Sequence, residues 1–304
     1  MCAKRVPNNS SATAATISAE SCGCLYLVGT PIGNLEDITL RALRILKEVD
    51  LIACEDTRQT QKLLNHYAIT TRTTSYHEHN EMIRSAELVK EIQEGATVAL
   101  VTDAGMPGIS DPGYRLITLA IRHHVPVIPI PGASAFLSAL IASGLPTDSF
   151  RFNGFLPAKR GDRRAALEQI KTSPRTQVFY EAPHRAVESL EDICEVLGES
   201  RYVVIAREVT KLHEEFLRGR AAEVLANLKA REVVKGEITL LIGKPEEQDA
   251  RGAADASSAR CSIRQRVEQI MAEEKVDEKA ALKKVAKERG VSKSEAYREW
   301  QRGK

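Results

Sequence analysis

"TDAGMPGISDPG", residues 102–113, follows the apolar run "ATVALV", and its reading decides the fold. Its twelve residues include three glycines, two prolines and two aspartates. Gly105, Gly108 and Gly113 admit backbone angles closed to other residues, while Pro107 and Pro112 fix theirs. Neither a helix interior nor a strand accommodates that mixture. The segment reads as a rigid, open loop at the end of a buried strand. It is longer than a turn requires, and a loop of this composition invites a ligand.

Outward from this loop, strand-like and helix-like segments alternate. Upstream, "CLYLVGT" reads as a buried strand, and "TLRALRILKEV" carries Leu40, Leu43, Ile45, Leu46 and Val49 at helical spacing. "DLIAC" is a strand, and "DTRQTQKLLNHY" a helix that Asp56 or Thr57 can cap. "TRTTSYH" is a short strand, residues 80–95 a helix, and "TVALV" the strand that feeds the loop. Downstream come a helix in "DPGYRLITLAIRHH" with Pro112 in its first turn, a strand in "VPVIPI", and a buried helix in "ASAFLSALIAS". Such alternation implies a mostly parallel sheet covered on both faces.

A second unit follows, with strands in "SFRFNGF", "TQVFY", "RYVVIAREV", "EEFLRG" and "GEITLLIG" and helices between them. The chain thus reads as α/β: two α/β domains with mixed sheets, residues 23–145 and 146–245, plus a small C-terminal helical segment. Residues 1–22 read as a disordered tail and residues 246–259, "EEQDARGAADASSA", as a linker. Residues 260–304 read as helix, turn, helix, with 13 lysines and arginines against 8 acids. A packing or dimerisation role and an RNA-contacting role both fit that segment.

Length and composition set the outer limits. The 304 residues are 43% hydrophobic and 28% charged, enough for a large core. The net charge of +2 leaves any nucleic-acid contact to local basic patches. The six cysteines, Cys2, Cys22, Cys24, Cys54, Cys194 and Cys261, form no C-x-x-C pair, which fits a reduced cytoplasmic interior and no zinc site. No apolar stretch reaches the roughly 18 residues of a membrane span, so no membrane partner is expected.

Glycine-containing loops end three strands: "VGTPIGN" (28–34), residues 102–113, and "PIPGAS" (129–134). In open α/β sheets, ligands bind beyond the carboxyl ends of the strands. Neither G-x-G-x-x-G nor G-x-x-x-x-G-K-[ST] occurs, which argues against a nicotinamide dehydrogenase and a P-loop ATPase. Asp103 can accept hydrogen bonds from a ligand or cap its own loop. Polar groups near strand ends include Glu55, Asp56, His77, His79, Glu181, His184 and Glu208. Glu55 and Glu181 are the candidate catalytic residues, with neither assigned as a base. His77-Glu78-His79 lacks a third ligand in sequence and suggests no metal. "LPAKRGDRRAAL" places Lys159, Arg160, Arg163 and Arg164 at a helix start, where cations oppose the helix dipole. Holding a phosphate backbone explains them better, so these four are candidate RNA contacts.

The motifs "LVGTPIGNLEDITLRALRILKEVDLIACEDTRQTQKLL", "ALVTDAGMPGISDPG", "PIPGASA", "FYEAPHR" and "GEITLLI", in this order, resemble the tetrapyrrole-methylase-like (class III) S-adenosylmethionine-dependent methyltransferases. The first loop, Gly29-Thr30-Pro31-Ile32-Gly33-Asn34, departs from the Gly-x-Gly-Pro-Gly-Asp of the tetrapyrrole enzymes and looks like the rRNA branch. The resemblance implies S-adenosyl-L-methionine as cofactor in a cleft between two α/β domains, and a homodimer. It implies 2′-O-ribose methylation of a cytidine in the decoding centre of 16S rRNA, in the small ribosomal subunit. Carried over by position, cofactor contacts fall on Pro31, Asp103, Gly105, Ile109, Ser110, Ser134 and Ala135. From the second domain they fall on Tyr180, Glu181, Ala206, Ile238 and Thr239. Two other readings compete: a methyltransferase acting on a small tetrapyrrole, and a ribosome-binding protein without catalysis.

Overall fold

The computed structural model describes residues 23–245, 263–274, 276–288 and 292–301. The expected tail at 1–22 and linker at 246–259 lie outside the described residues. Two compact units emerge: one runs to Ala142 and includes Arg207–Glu215, the other holds Ser143–Ala206 and the chain from Phe216.

In the first unit, strands β1 (Cys24–Val28), β2 (Leu51–Cys54), β3 (Thr73–Ser75), β4 (Thr97–Val101) and β5 (Val127–Ile130) form one sheet in the order β3-β2-β4-β1-β5. Every pairing is parallel, so this sheet is not mixed. The intervening helices are α1 (Leu40–Glu48), α2 (Thr57–His66), α3 (Glu81–Gln93) and α4 (Tyr114–Arg122), with α5 (Ala135–Ser143) after β5. Parallel neighbours need such crossovers, and helices on both faces bury both sides of each strand. The strand residues divide by parity. Ile52, Cys54, Ala99 and Val101 join Leu46 of α1 and Leu64 of α2 in one core, while Leu51, Ala53, Val98 and Leu100 join Leu88 of α3 and Leu116 of α4 in the other.

Two local expectations change. Pro112 precedes α4, which starts at Tyr114 with Gly113 as its N-cap. Helix α5 is not fully buried: Leu137 and Ile141 are exposed, the latter by 77%.

In the second unit, β6 (Phe150–Phe155), β7 (Thr176–Glu181), β8 (Tyr202–Arg207), β9 (Glu215–Arg220) and β10 (Ile238–Ile242) lie in the order β6-β7-β10-β8-β9. This sheet is mixed: β6 and β7 are parallel, β7 and β10 antiparallel. Helices α6 (Arg160–Ile170), α7 (Ala186–Leu197) and α8 (Ala221–Lys229) supply Leu167, Leu190, Ile193, Val224 and Leu228 to one core with Phe179, Ile205 and Leu240 of the strands.

The C-terminal segment forms helices α9 (Ile263–Glu274), α10 (Glu278–Glu288) and α11 (Lys293–Gln301). They share their own core of Val267, Ile270, Leu282, Val285, Ala296 and Trp300. No described helix is long and apolar enough to cross a membrane.

Candidate functional site

Because β4, β1 and β5 are parallel neighbours, their carboxyl ends emerge side by side and bring three glycine loops together. The connections from β1 and β4 leave in opposite directions along the sheet, the arrangement that opens a crevice at strand ends. The loops touch. The Thr30 N–H donates to the Gly105 carbonyl at 2.9 Å, and the Gly105 N–H returns the bond at 3.1 Å. The Thr30 hydroxyl donates to the Thr102 carbonyl at 3.1 Å. Gly29 and Gly132 approach so closely that a Cβ on Gly29 would lie 2.7 Å from the Gly132 Cα.

The long loop keeps unusual backbone along its length. Gly105 and Gly108 have φ of 84° and 82°, and Ser110, which carries a side chain, has φ of 62°. A non-glycine residue in this region marks a conformation enforced by its surroundings. Ile109 and Ser110 are exposed beside it, Pro31 is buried, and Ser134 and Ala135 are half-buried.

Carboxylates gather at the same strand ends. The Asp103 carboxylate accepts the Asp56 backbone N–H at 3.1 Å, and burial raises its pKa. Glu55 accepts from the Thr102 hydroxyl at 3.0 Å. Asp111, which sequence reasoning passed over, is pushed up to about 6 by burial and by the Glu55 charge. Its signal was present: an acid two residues from Pro107-Gly108-Ile109, inside the glycine- and proline-rich loop. Asp56 is the α2 N-cap, accepting the Arg58 N–H at 2.8 Å, and its pKa is lowered to about 2 by Arg58.

Residues 207–215 also belong to this unit. Lys211 pairs with Glu208 at 2.9 Å, and its stem covers Gly33: a Cβ there would sit 2.3 Å from Lys211 Cγ. No spacing in the sequence announced that contact.

In the second unit, Tyr180 and Thr239 face each other across β7 and β10. Ala206 lies near the end of the adjoining strand β8 and is fully buried. The Tyr180 ring packs edge-on to Phe152 at 5.0 Å. Ile238 has the opposite parity and packs into the helix-covered core, so only its main chain is available to a ligand.

Two expectations need correction. Glu181 faces the helices: it pairs with Ile238 in the ladder, is 3% exposed, and accepts bonds from Ser189 (2.6 Å), the Ala182 N–H (2.7 Å) and Arg185 (2.6 Å). It ties β7 to α7, so of the two candidate catalytic residues only Glu55 stays at the strand ends with the loops. Arg163 is 1% exposed and bonds Asp192 at 2.7 Å, so it cannot reach RNA. Arg160 and Arg164 join the same α7 acids, Asp192 and Glu195, while Lys159 is exposed. The charges that seemed to oppose the α6 dipole are answered by α7, a partner distant in sequence.

The sequence matches the Tetrapyrrole (Corrin/Porphyrin) Methylases over residues 24–225. Ribosomal RNA small subunit methyltransferase I of Halalkalibacterium halodurans is 52% identical over 277 residues, covering 90% of this chain and 93% of that one. The protein of the same name from Thermotoga maritima is 48% identical over 224 residues, 74% of this chain and 100% of that one. Among solved structures, diphthine synthase matches with a TM-score of 0.57 at 16% identity, covering 75% of this chain and 94% of that one. Uroporphyrin-III-C-methyltransferase from Thermus thermophilus matches with a TM-score of 0.52 at 22% identity, covering 73% and 94%; both likenesses concern the fold. With a family match over residues 24–225 and relatives at about half identity over most of its length, the chain belongs to the tetrapyrrole (corrin/porphyrin) methylases and groups there with the ribosomal RNA small subunit methyltransferase I proteins.

Proposed function

We propose that this protein is an rRNA methyltransferase that uses S-adenosylmethionine to methylate the ribose 2′-oxygen of a cytidine in the 16S rRNA decoding centre. The observation that carries the reading is the mutual contact of the loops at 29–34, 102–113 and 131–135 at the carboxyl edge of one parallel sheet. The relatives' names supply the rRNA substrate and the small subunit. Working on ribosomes places the protein in the cytoplasm.

The residues fit such a donor. It is amphipathic, with ribose hydroxyls, an amino acid end and a flat base. Asp103 offers a carboxylate to hydroxyls, and Ser110 and Ser134 offer hydroxyls of their own. Glycine main chain at 105 and 132 allows close approach without a Cβ. Pro31, Ile109 and Ala135 offer apolar contact. When bound, S-adenosylmethionine would supply a sulfonium-borne methyl group that a ribose oxygen can take, with neutral S-adenosylhomocysteine as the leaving group.

The protein's own chemistry is orientation and proton removal. Holding the ribose hydroxyl in line contributes roughly 7–11 kcal/mol in favourable cases. A positioned base adds about 10²–10⁴-fold. Glu55 is the base in this reading. Asp111 lies beside it, its own carboxyl pushed up to about 6 by burial and by the Glu55 charge. Lys159, Arg160 and Arg164 form a basic rim for the RNA backbone, with Arg160 and Arg164 shared with α7 acids. Met82, Ile83, Tyr114 and Ile121 are exposed on the packed pair α3 and α4, and support a homodimer through that face.

The test is incubation with methyl-labelled S-adenosylmethionine and undermethylated small subunits, followed by mapping of the label. Label on a cytidine 2′-oxygen of 16S rRNA is expected. Label on a base carbon or nitrogen, or transfer to a tetrapyrrole alone, would overturn the reading.

A further inference from the structure

Outside the loop cluster, the exposed face of α2 borders an open basin of about 480 Å³. It is lined by Thr57, Arg58, Gln61, Lys62 and Asn65 of that helix, with Thr73 from the edge strand β3. Positions 57, 58, 61, 62 and 65 recur at helical spacing, so they form one continuous strip. From Thr57 to Asn65 the strip is about 12 Å long at 1.5 Å per residue.

Every lining residue has a polar or charged side chain, two of them are cations, and none is an acid. Arg58 is 87% exposed at its side chain and bonds Asp56 with one edge of its guanidinium, through Nε and Nη2. The Lys62 ammonium donates to the neutral Gln59 amide oxygen at 2.9 Å. The Gln61 amide N–H donates to the Asn65 amide oxygen at 2.8 Å, which fixes both amides and leaves further donor and acceptor sites on each. Cations beside paired amides match a phosphodiester next to the polar edge of a base.

The basin's position gives this chemistry a purpose. The first turn of α2 is fastened to the long loop by the Asp56 N–H bond to Asp103, and the basin begins at the next residue. We propose that this strip is an RNA subsite, holding the single-stranded nucleotides that flank the one presented to the loops. Arg58 and Lys62 hold phosphates, while Gln61 and Asn65 meet a base or ribose hydroxyl. The inference rests on the rRNA reading above and adds a binding surface to it.

The test uses the full chain, a fluorescent single-stranded oligoribonucleotide, and S-adenosylhomocysteine as a separate probe. Lys62→Glu is expected to weaken RNA binding about tenfold, with unchanged melting temperature and unchanged S-adenosylhomocysteine affinity. The double variant Arg58→Ala/Lys62→Ala is expected to lower the slope of log affinity against log salt by about 1.4, at roughly 0.7 per phosphate contact on a single strand. Wild-type affinity and slope in both variants would overturn the subsite while leaving the methyltransferase reading intact. Parallel loss of S-adenosylhomocysteine affinity in Lys62→Glu would overturn it too, by making α2 a support for the donor loop. Failure of the wild type to bind the oligoribonucleotide at all would overturn the subsite, while the methyltransferase reading stands or falls separately on the label mapping with small subunits.

Discussion

Arg163 separates two accounts of the basic helix start. Read along the chain, it is one of four cations facing RNA. In the structure it is 1% exposed, and its Nε bonds the equally buried Asp192 carboxylate at 2.7 Å. Glu188 lies 3.6 Å away, and the Ala158 carbonyl accepts a further bond at 3.3 Å. Removing one partner of a buried pair costs about 3–5 kcal/mol, because the other charge stays behind in a medium that cannot solvate it. The two single variants are not equivalent. In Arg163→Met, Asp192 retains Arg160 at 3.0 Å and Arg164 at 3.6 Å, so the loss falls near the lower limit, about 3 kcal/mol. In Asp192→Leu, Arg163 keeps only a carbonyl and the outlying Glu188, so the loss approaches about 5 kcal/mol. The double variant Arg163→Met/Asp192→Leu removes both charges, and its loss falls below that of either single change. Urea unfolding of the four proteins measures all three quantities. Arg163→Met with wild-type stability and weakened RNA binding would refute the structural assignment and restore the original one.

Three further outcomes follow from the loops and their neighbours. Gly29→Ala places a Cβ 2.7 Å from both the Gly132 Cα and the Met106 sulfur; it should cost about 1–3 kcal/mol and reduce S-adenosylmethionine affinity in calorimetric titration, and unchanged affinity would show that the loop contact is irrelevant to the donor. Asp111 holds its proton to about pH 6 when folded and releases it near 4 when unfolded, so its contribution to stability falls as pH rises through that window. Discounted for its partial exposure, Asp111→Asn should gain about 1 kcal/mol at pH 8 and progressively less toward pH 4.5, as read by urea unfolding at both values; equal gains at the two would remove burial as the cause. Glu181→Gln strips the charge facing Arg185 and should lower stability by about 3 kcal/mol; normal stability with methyl transfer reduced a thousandfold would instead make Glu181 the base.

The sheet and its loops were legible because they depend on local chemistry. Alternating apolar runs placed the first-unit strands, and glycine and proline marked the loops after β1, β4 and β5. The sequence offered Asp56 or Thr57 as the cap of the helix that follows, and Asp56 takes that place. The misreadings have one physical source, since a side chain's partner is set by packing and not by neighbours in sequence. "KRGDRR" shows four cations and conceals α7, which answers three of them. "YEAPHR" puts Glu181 after a strand, as a catalytic acid would be, but strand parity turns it toward Ser189 and Arg185. Lys211 over Gly33 joins residues far apart in the chain, and no periodicity encodes it. The wholly parallel first sheet follows from its crossover helices, while the antiparallel β7–β10 pairing depends on a chain reversal with no sequence signature.

Hydrogen exchange with and without S-adenosylhomocysteine tests the central claim most directly. Binding should slow exchange in all three segments, 29–34, 102–113 and 131–135, well beyond the change in α3 or the C-terminal helices. Protection confined to one of these segments, or found elsewhere with all three unaffected, would contradict a shared donor cradle at the strand ends.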